Sequence, residues 1–461
     1  MSKPKVTGLI LAAGKGTRMK SDLPKCLHKV CGVPMAKLVA DSLIAAGADD
    51  VVIVVGHGGE SLVTALGDGY QYAWQREQKG TGHAVQCALA ELGEVNGTVM
   101  VVCGDTPLIS TEYFREFLAG HVASERVCSM AVAELPDATG YGRVVVDGAD
   151  AKRVIEQKDA SAAEKQICHA NAGMYCVEGV ALAEALKTLK SDNAQGEYYL
   201  TDIIGFFDST NRPVNAFISS DPAIMMGVND RKQLAEANTI LKNLINNRHI
   251  LNGVTITDPS STYIGPNVDI GLDTIIEPGT HLVGKTSIGR NSTVGPNSRL
   301  TDVSLGDNSL FFFSHADTAS IGSNVKIGPF ANIRPKSTLE DGVRIGNFVE
   351  INRSTLKKGA KANHLTYIGD AEIGSETNIG AGTITCNFDG FEKHKTHVGN
   401  DAFIGSNSTL VAPVKIGDGV IVAAGSVITD DIAANDGAFG RARQVNKEGW
   451  AARWRDKKRN G

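Results

Sequence analysis

The stretch LILAAGKGTRM ends an apolar run in Gly14, Lys15, Gly16 and Arg18, and Lys25 follows shortly after. Glycine leaves backbone amides accessible and the cations supply charge, a combination suited to holding phosphates. The spacing excludes two common fingerprints. Nothing here follows the P-loop interval to Gly-Lys-Ser/Thr, and Met19 stands where a dinucleotide-binding loop needs its third glycine. A second apolar run, VMVVCGD, ends in Gly104 and Asp105, which puts a carboxylate where a strand runs out.

Strands and helices must position these groups. From Lys5 to about Asn229, short apolar strands alternate with amphipathic helices. Strands are expected at VTGLILAA, VVIVVG (51–56), VMVVCGD (99–105), VCSMAVAEL (127–135) and AGMYCVEG (172–179). Helices are expected over Met35 to Ala46 and Gly82 to Leu92. The alternation predicts an α/β, Rossmann-like domain with a mainly parallel sheet. Ligands bind beyond the carboxyl ends of such strands, so the glycine loop and the Gly104-Asp105 turn share one cleft. Asp230 to Asn247 reads as a connecting helix, capped by Asp230 or Asn229, with Leu234, Leu241, Leu244 and Ile245 as its apolar stripe.

The pattern then changes. Aliphatic residues recur every six positions at Ile264, Ile270, Ile276, Leu282, Ile288, Val294 and Leu300. The same period returns at Ile321, Ile327, Ile333, Leu339, Ile345 and Ile351, and at Ile404, Leu410, Ile416, Val422 and Ile428. This is a hexapeptide-repeat signature and predicts a left-handed parallel β-helix with inward aliphatics. Three repeats close a coil, so residues 18 apart stack about 4.8 Å from each other. The phase breaks at 306–320, 356–367 and 385–397, which are expected to be loops leaving the helix and favourable places for sites. The basic end, RWRDKKRNG, reads as a tail anchored by Trp450 and Trp454. The domains are expected at 1–229, 230–250 (the linker helix) and 251–461.

Composition limits the function classes. The chain has 461 residues, 42% hydrophobic and 21% charged, and a net charge of -5, which gives no global field for nucleic acid or an anionic membrane. No apolar run approaches the roughly 18 residues of a membrane span. The N-terminal apolar run reads as a buried strand, not a signal peptide. Eight scattered cysteines without a Cys-x-x-Cys pair suit reduced thiols in the cytoplasm.

With DLPKCLHKV, QKGTGHA, GDTPLIS, TGYGRV, AQGEYYLTDII, GNFVEI, HLTYIGDAEIG, NIGAGTITCNFDG and KEGW, the chain resembles a known family over almost its whole length. The family is the bacterial bifunctional N-acetylglucosamine-1-phosphate uridylyltransferases and glucosamine-1-phosphate acetyltransferases. The resemblance implies a first domain that transfers UMP from UTP to N-acetylglucosamine 1-phosphate and releases pyrophosphate. It implies Arg18 and Lys25 as catalytic cations facing the leaving pyrophosphate, and Mg²⁺ held by Asp105 and Asn229. It places Leu11, Ala12, Ala13, Gly14, Gln75, Gly80, Thr81, Cys103 and Gly104 around the nucleotide, and Gly142, Glu156 and Asn171 near the sugar. Two departures are Cys103-Gly104-Asp105 for the family's Tyr-Gly-Asp and Asn171-Ala172-Gly173 for its Asn-Thr-Gly.

For the second domain the resemblance implies acetyl transfer from acetyl-CoA to glucosamine 1-phosphate, with His364 as the base. Ala381 would offer an oxyanion amide, with Asn387, Phe388 and Ser406 nearby. Ala424 and Arg441 would meet acetyl-CoA, and Glu350, Tyr367 and Asn378 would shape the sugar pocket. The acceptor phosphate is held in the family by an arginine and a lysine, which here are Arg334 and Asn352. Being 18 apart, the two should stack one coil apart on an outward face, with one positive charge lost. Acceptor binding then weakens unless Arg353 or Lys393 compensates, and an enzyme with a decayed acetyltransferase is the alternative. The resemblance also implies a homotrimer. Two rival readings are a zinc enzyme using His394-x-x-His397 and a non-catalytic assembly protein pairing the same folds.

Overall fold

The computed structural model describes residues 5–220 and 226–459. The chain divides into two compact units, Met1–Leu244 and Ile245–Gly461.

Nine strands form the sheet of the first unit: β1 (Val6–Leu11), β2 (Asp50–Val55), β3 (Gln71–Trp74), β4 (Thr98–Cys103), β5 (Cys128–Glu134), β6 (Arg143–Asp147), β7 (Asp150–Ile155), β8 (His169–Glu178) and β9 (Val214–Ser219). Their order is β3-β2-β1-β4-β8-β5-β9-β7-β6. The strands β1 to β4 run parallel, as the βαβ alternation requires. The other half departs from the mainly parallel expectation, because β8 is antiparallel to both β4 and β5, and β6 and β7 form a hairpin.

Helices α1 (Met35–Ala46), α2 (Gly59–Leu66), α3 (Thr81–Leu92), α4 (Thr111–Ser124), α5 (Gly179–Leu186) and α6 (Asp202–Ser209) cover both faces of the sheet. Successive strand residues point to opposite faces. Ile10, Ile53, Met100 and Val102 therefore pack with α1, α2 and α4, while Leu9, Val52, Val99 and Val101 pack with α3, α5 and α6. The long helix α7 (Arg231–Leu251) begins at Asp230, whose Oδ1 accepts from Gln233 N at 2.9 Å. Gln233 Oε1 in turn accepts from Asn229 N at 2.8 Å, so the Asn229 side chain is not the cap. Leu234 and Leu241 pack on Val30, Met35 and Leu108, and Ile245 is buried. Leu244 leaves the expected stripe and is exposed.

In the second unit each short strand pairs in parallel with its equivalent one coil later. Tyr263 lies opposite His281 and His281 opposite Arg299, an advance of 18 residues per coil. Of the eighteen in-phase aliphatics, all but Ile270 are buried. Ile270 is half-buried because its strand, Asp269–Ile270, is the first in its sheet and has no coil before it.

Only one of the three phase breaks is an insertion. Around 306–320 the coil shortens: Arg299 pairs with His315, an advance of 16, and the backbone stays in the ladder. Around 356–367 the advance is 17, as from Arg344 to Lys361. The third break carries Glu372 to His397, an advance of 25, and its extra residues form a loop pinned by the Phe388–Lys393 bridge. The corners can absorb a missing residue, whereas seven extra residues leave the coil.

Leu282, stacked between Ile264 and Leu300, is fully buried. Replacing it with Ala should cost about 2–5 kcal/mol in urea unfolding of the second unit. Ser287→Ala on an exposed position of the next repeat should stay within about 0.5 kcal/mol of the parent.

Candidate active sites

β1 and its parallel neighbour β4 end together, with Leu11 opposite Cys103. Their continuations stay joined, since Gly104 N donates to Leu11 O at 2.9 Å. Beyond these ends lies a cavity of about 280 Å³. It gathers Leu11, Ala12, Ala13, Gly14, Lys25, Gln75, Gly80, Thr81, Cys103 and Asp105 from the sequence-based candidates. It also takes in Cys26, Gln78, Ala84 and Glu197, which residue-type reasoning missed. Glu197 lies within the AQGEYYLTDII stretch, so a signal was there to find it.

Glycine has a separate reason at each loop position. A Cβ on Gly14 would meet nothing within 4 Å, so its absence keeps the mouth of the cavity open. Gly16 has φ 60, and a Cβ there would lie 2.6 Å from Lys25 Cβ. Gly16 thus lets the loop close against Lys25 before the turn Thr17–Met19 presents Arg18. The Cys103 thiol, half-buried in the cavity wall, is pushed up to about 12 by desolvation first and the nearby Asp105 charge second, so it stays neutral beside the cations.

Two side-chain oxygens and two cations converge at one edge of this cavity. Lys25 Nζ pairs with Asp105 Oδ2 and donates to Asn229 Oδ1 at 2.8 Å. Arg18 Nη2 donates to the same Asn229 oxygen at 2.8 Å. A backbone bond from Val228 N to Asp105 O, 2.8 Å, brings Asn229 to this place. The Lys25 ammonium therefore marks a point where one cation reaches both a carboxylate and an amide oxygen. These hard oxygen donors are of the kind that would hold Mg²⁺.

Gly142, Glu156 and Asn171 form their own cluster and do not line the cavity. Asn171 N donates to Gly142 O at 2.9 Å, and a Cβ on Gly142 would lie 3.4 Å from Glu156 Oε2. A bulge in β8 between Asn171 and Tyr175 includes Gly173, at φ 70. It lets Gly173 N and Tyr175 Oη bond Asn171 Oδ1 at 2.9 and 3.0 Å. Thr201 Oγ1 donates to Glu156 Oε1 at 3.1 Å. Thr201 and Tyr175 are the supporting residues that the sequence reading did not name. Cys103 Sγ would lie 3.4 Å from a Cβ on Gly173, which links this cluster to the cavity wall.

In the second unit, His364 is exposed at a coil corner and its Nδ1 lies 2.8 Å from Asn347 Oδ1. Asn347 was not singled out from sequence, although it belongs to GNFVEI. The corner residues follow one another down the coils: Gly382 N bonds His364 O, Asn407 N bonds Ala381 O and Gly425 N bonds Ser406 O. His364, Ala381, Ser406 and Ala424 thus share one edge of the β-helix. Arg441 lies beyond this ladder in the exposed tail.

Arg334 is exposed and pairs with Glu350 at 2.8 Å. Asn352 stacks one coil below it, and only 3% of its surface is exposed because the Tyr367 and Arg353 side chains cover it. Its Nδ2 donates to Tyr367 Oη at 3.3 Å and its Oδ1 accepts from Arg353 Nη1 at 3.2 Å. Arg353, at φ 49, has swung round to the Asn352 side and forks onto Asp370 at 2.7 and 2.8 Å. Asn387 Nδ2 donates to the same carboxylate. Asn378 lies opposite both Lys361 and Phe403, and Phe388 is exposed on the insertion loop.

Other expectations are altered. His394 and His397 turn to separate carboxylates, Asp389 at 2.8 Å and Glu372 at 3.6 Å. Trp450 and Trp454 stack on each other at 6.3 Å on the helix Trp450–Arg459, and both are half exposed. No described helix is long and apolar enough to cross a membrane.

The two sites define a nucleotidyltransferase joined to a hexapeptide acyltransferase. Residues 8–198 match the MobA-like NTP transferase domain family, and residues 318–353 and 395–430 match bacterial transferase hexapeptide repeats. The bifunctional protein GlmU of Geobacillus sp. (strain WCH70) is 48% identical over 451 residues, 98% of each chain. Those of Halalkalibacterium halodurans and Caldanaerobacter subterraneus subsp. tengcongensis are each 46% identical, over 95% and 96% of this chain and 97% of their own. The chain belongs to the GlmU family of bifunctional nucleotidyltransferase–acetyltransferase enzymes.

Burial raises the Glu156 pKa above its ordinary 4.5, and the Thr201 bond offsets this only in part. The folded state therefore holds the proton more tightly than the unfolded chain does. That stabilisation is full at low pH and is lost as pH rises through the raised value. The melting temperature of the parent should fall relative to Glu156→Gln as pH rises from 4.5. A difference that stays constant with pH would contradict this assignment.

Proposed function

We propose that this enzyme makes UDP-N-acetylglucosamine in two steps. The second unit acetylates glucosamine 1-phosphate from acetyl-CoA, and the first transfers UMP from UTP to N-acetylglucosamine 1-phosphate. The observation that carries the first assignment is the convergence of Arg18 and Lys25 on the Asp105–Asn229 pair. Asp105 and Asn229 would hold Mg²⁺, which supplies positive charge to the triphosphate when bound. Arg18 and Lys25 then turn to phosphate oxygens and stabilise the leaving pyrophosphate. Gly142, Glu156 and Asn171 take the sugar.

In acetyl transfer, Asn347 Oδ1 accepts the Nδ1 proton of His364 and leaves the Nε2 lone pair free. Nε2 removes a proton from the acceptor ammonium and the amine attacks the thioester carbon; as the C–S bond breaks, the nitrogen gives up its second proton and the leaving thiolate takes one up to depart as the thiol. The Ala381 N–H, which has no acceptor among the described residues, is available to the oxyanion. The corner edge through Ser406 and Ala424 offers an extended track for the acetyl donor. The acceptor phosphate is assigned to Arg334, with Arg353 supplying the second guanidinium beside Asn352.

Arg18→Ala should lower uridylyl transfer by about 10²–10³-fold and leave acetyl transfer unchanged. His364→Ala should do the reverse. Separate assays of the two half-reactions test this, and loss of both activities in either variant would sink the two-site reading.

A homotrimer and a cytoplasmic location complete the proposal. The eight free cysteines suit a reducing compartment. Self-association is supported by a corner ladder of exposed Phe313, Phe330, Phe348 and Leu365, in which Phe330 lies 5.9 Å from a tilted Phe313 ring and stacks on Phe348 at 5.4 Å. Phe330→Asp should sediment as a smaller species than the parent, and an unchanged sedimentation coefficient would count against this face.

A further inference from the structure

Arg143 is the largest fully buried side chain among the described residues, with 1% of its surface exposed. A buried guanidinium ordinarily has a carboxylate partner and most of its five donors bonded. Here Nη1 donates to Tyr141 O, Nε has no partner, and no ion pair to Arg143 exists among the described residues. The side chain lines a polar cavity of about 220 Å³, separate from the nucleotide cavity. Lys165, which is exposed and forms no ion pair among the described residues, lines the same cavity. The one acid lining it is Asp137. Its carboxylate is already held below its usual range by bonds from Thr139, with a smaller contribution from Arg143. Two cations against one carboxylate leave the cavity a net charge of +1.

We propose that this cavity is a binding site for a small phosphate-type oxyanion, held between the Arg143 guanidinium and the Lys165 ammonium. Such an anion would offset the guanidinium charge, which has no carboxylate partner in a place where an unpaired charge is costly. Arg143 directly follows Gly142, whose carbonyl accepts from Asn171 N, so the anion would sit immediately behind the proposed sugar cluster. The site itself stands on Arg143 and its cavity, independently of the uridylyl reading.

Thermal-shift titration of the full-length protein with inorganic phosphate and with pyrophosphate tests the proposal. Both anions can also bind at Arg18 and Lys25, so the titrations are run in the Arg18→Ala background. Stabilisation should persist in that background, and adding Lys165→Glu should weaken binding about 10-fold or more. Lys165 lies at the exposed rim, so its variant separates loss of the site from loss of the fold. Tighter binding of pyrophosphate would identify a reaction product as the ligand, and tighter binding of phosphate would identify the free anion. Crystals soaked in tungstate should show an anomalous peak beside Arg143. No peak there, or equal anion stabilisation with and without Lys165→Glu, would overturn the assignment.

Discussion

A β-helix coil must turn corners and still lie in register on the coil before it, and the second unit is organised by that requirement. At one corner the turn residue has a left-handed backbone in coil after coil: Phe313, Phe330, Phe348, Leu365, Gly382, Asn407 and Gly425. For a residue with a Cβ this conformation costs about 1–2 kcal/mol, which stacking and coil-to-coil hydrogen bonds offset. Whatever occupies the corner is thereby repeated as a ladder. Four coils carry large apolar groups and the next three carry Gly, Asn and Gly, so one edge changes from a hydrophobic face to an open polar track. His364 stands at the change, beside Leu365 and one coil above Ala381 and Gly382. Its position follows from coil geometry and needs no special local fold.

In the first unit the governing constraint is charge. Arg18 and Lys25 bring two positive charges to a place where Asp105 brings one negative and Asn229 none. The cluster is self-consistent without ligand because the amide oxygen of Asn229 takes a donor from each cation. It keeps a net positive charge, and glycines leave the adjoining loop without side chains in the way. A bound polyphosphate would offset that charge by pairing with Arg18 and Lys25, which would leave the oxygens of Asp105 and Asn229 to hold a metal ion.

The parts of this molecule legible in sequence were those governed by a strict period or a continuous apolar run. Ile333 and Leu410 could be placed in the β-helix core because an inward position recurs at six, and β1, β2 and β4 could be placed because buried parallel strands are apolar on both faces. The strands β6 and β7 were not seen, since RVVVD and DAKRVI mix charge with aliphatics and lack the continuous apolar run of a buried parallel strand. The shortened coils were misread as loops because a missing residue and an insertion break the period alike. Side-chain supports such as Asn347 and Thr201 were hidden for another reason. Each acts through a partner distant in sequence, His364 or Glu156, and nothing local distinguishes such an Asn or Thr from a surface residue.

Asn352 is a neutral side chain set among charged groups that neighbouring coils supply. With Arg334 paired to Glu350 and Arg353 to Asp370, the four charged groups around Asn352 sum to zero. Asp370 is held below its usual range by Arg353 first, then by Asn387, and also by the charge of Lys393. Lys393 therefore lies close enough for its field to be felt and returns a net positive charge to the cluster. It arrives on the loop that breaks the hexapeptide phase, bridged to Phe388. The insertion thus does more than interrupt the repeat: it delivers Asn387 and Lys393 together to the carboxylate that holds Arg353. A lysine at position 352 would bring its charge on the coil itself, whereas this chain draws it from the loop, where the side chain stays in contact with water and its desolvation cost is small.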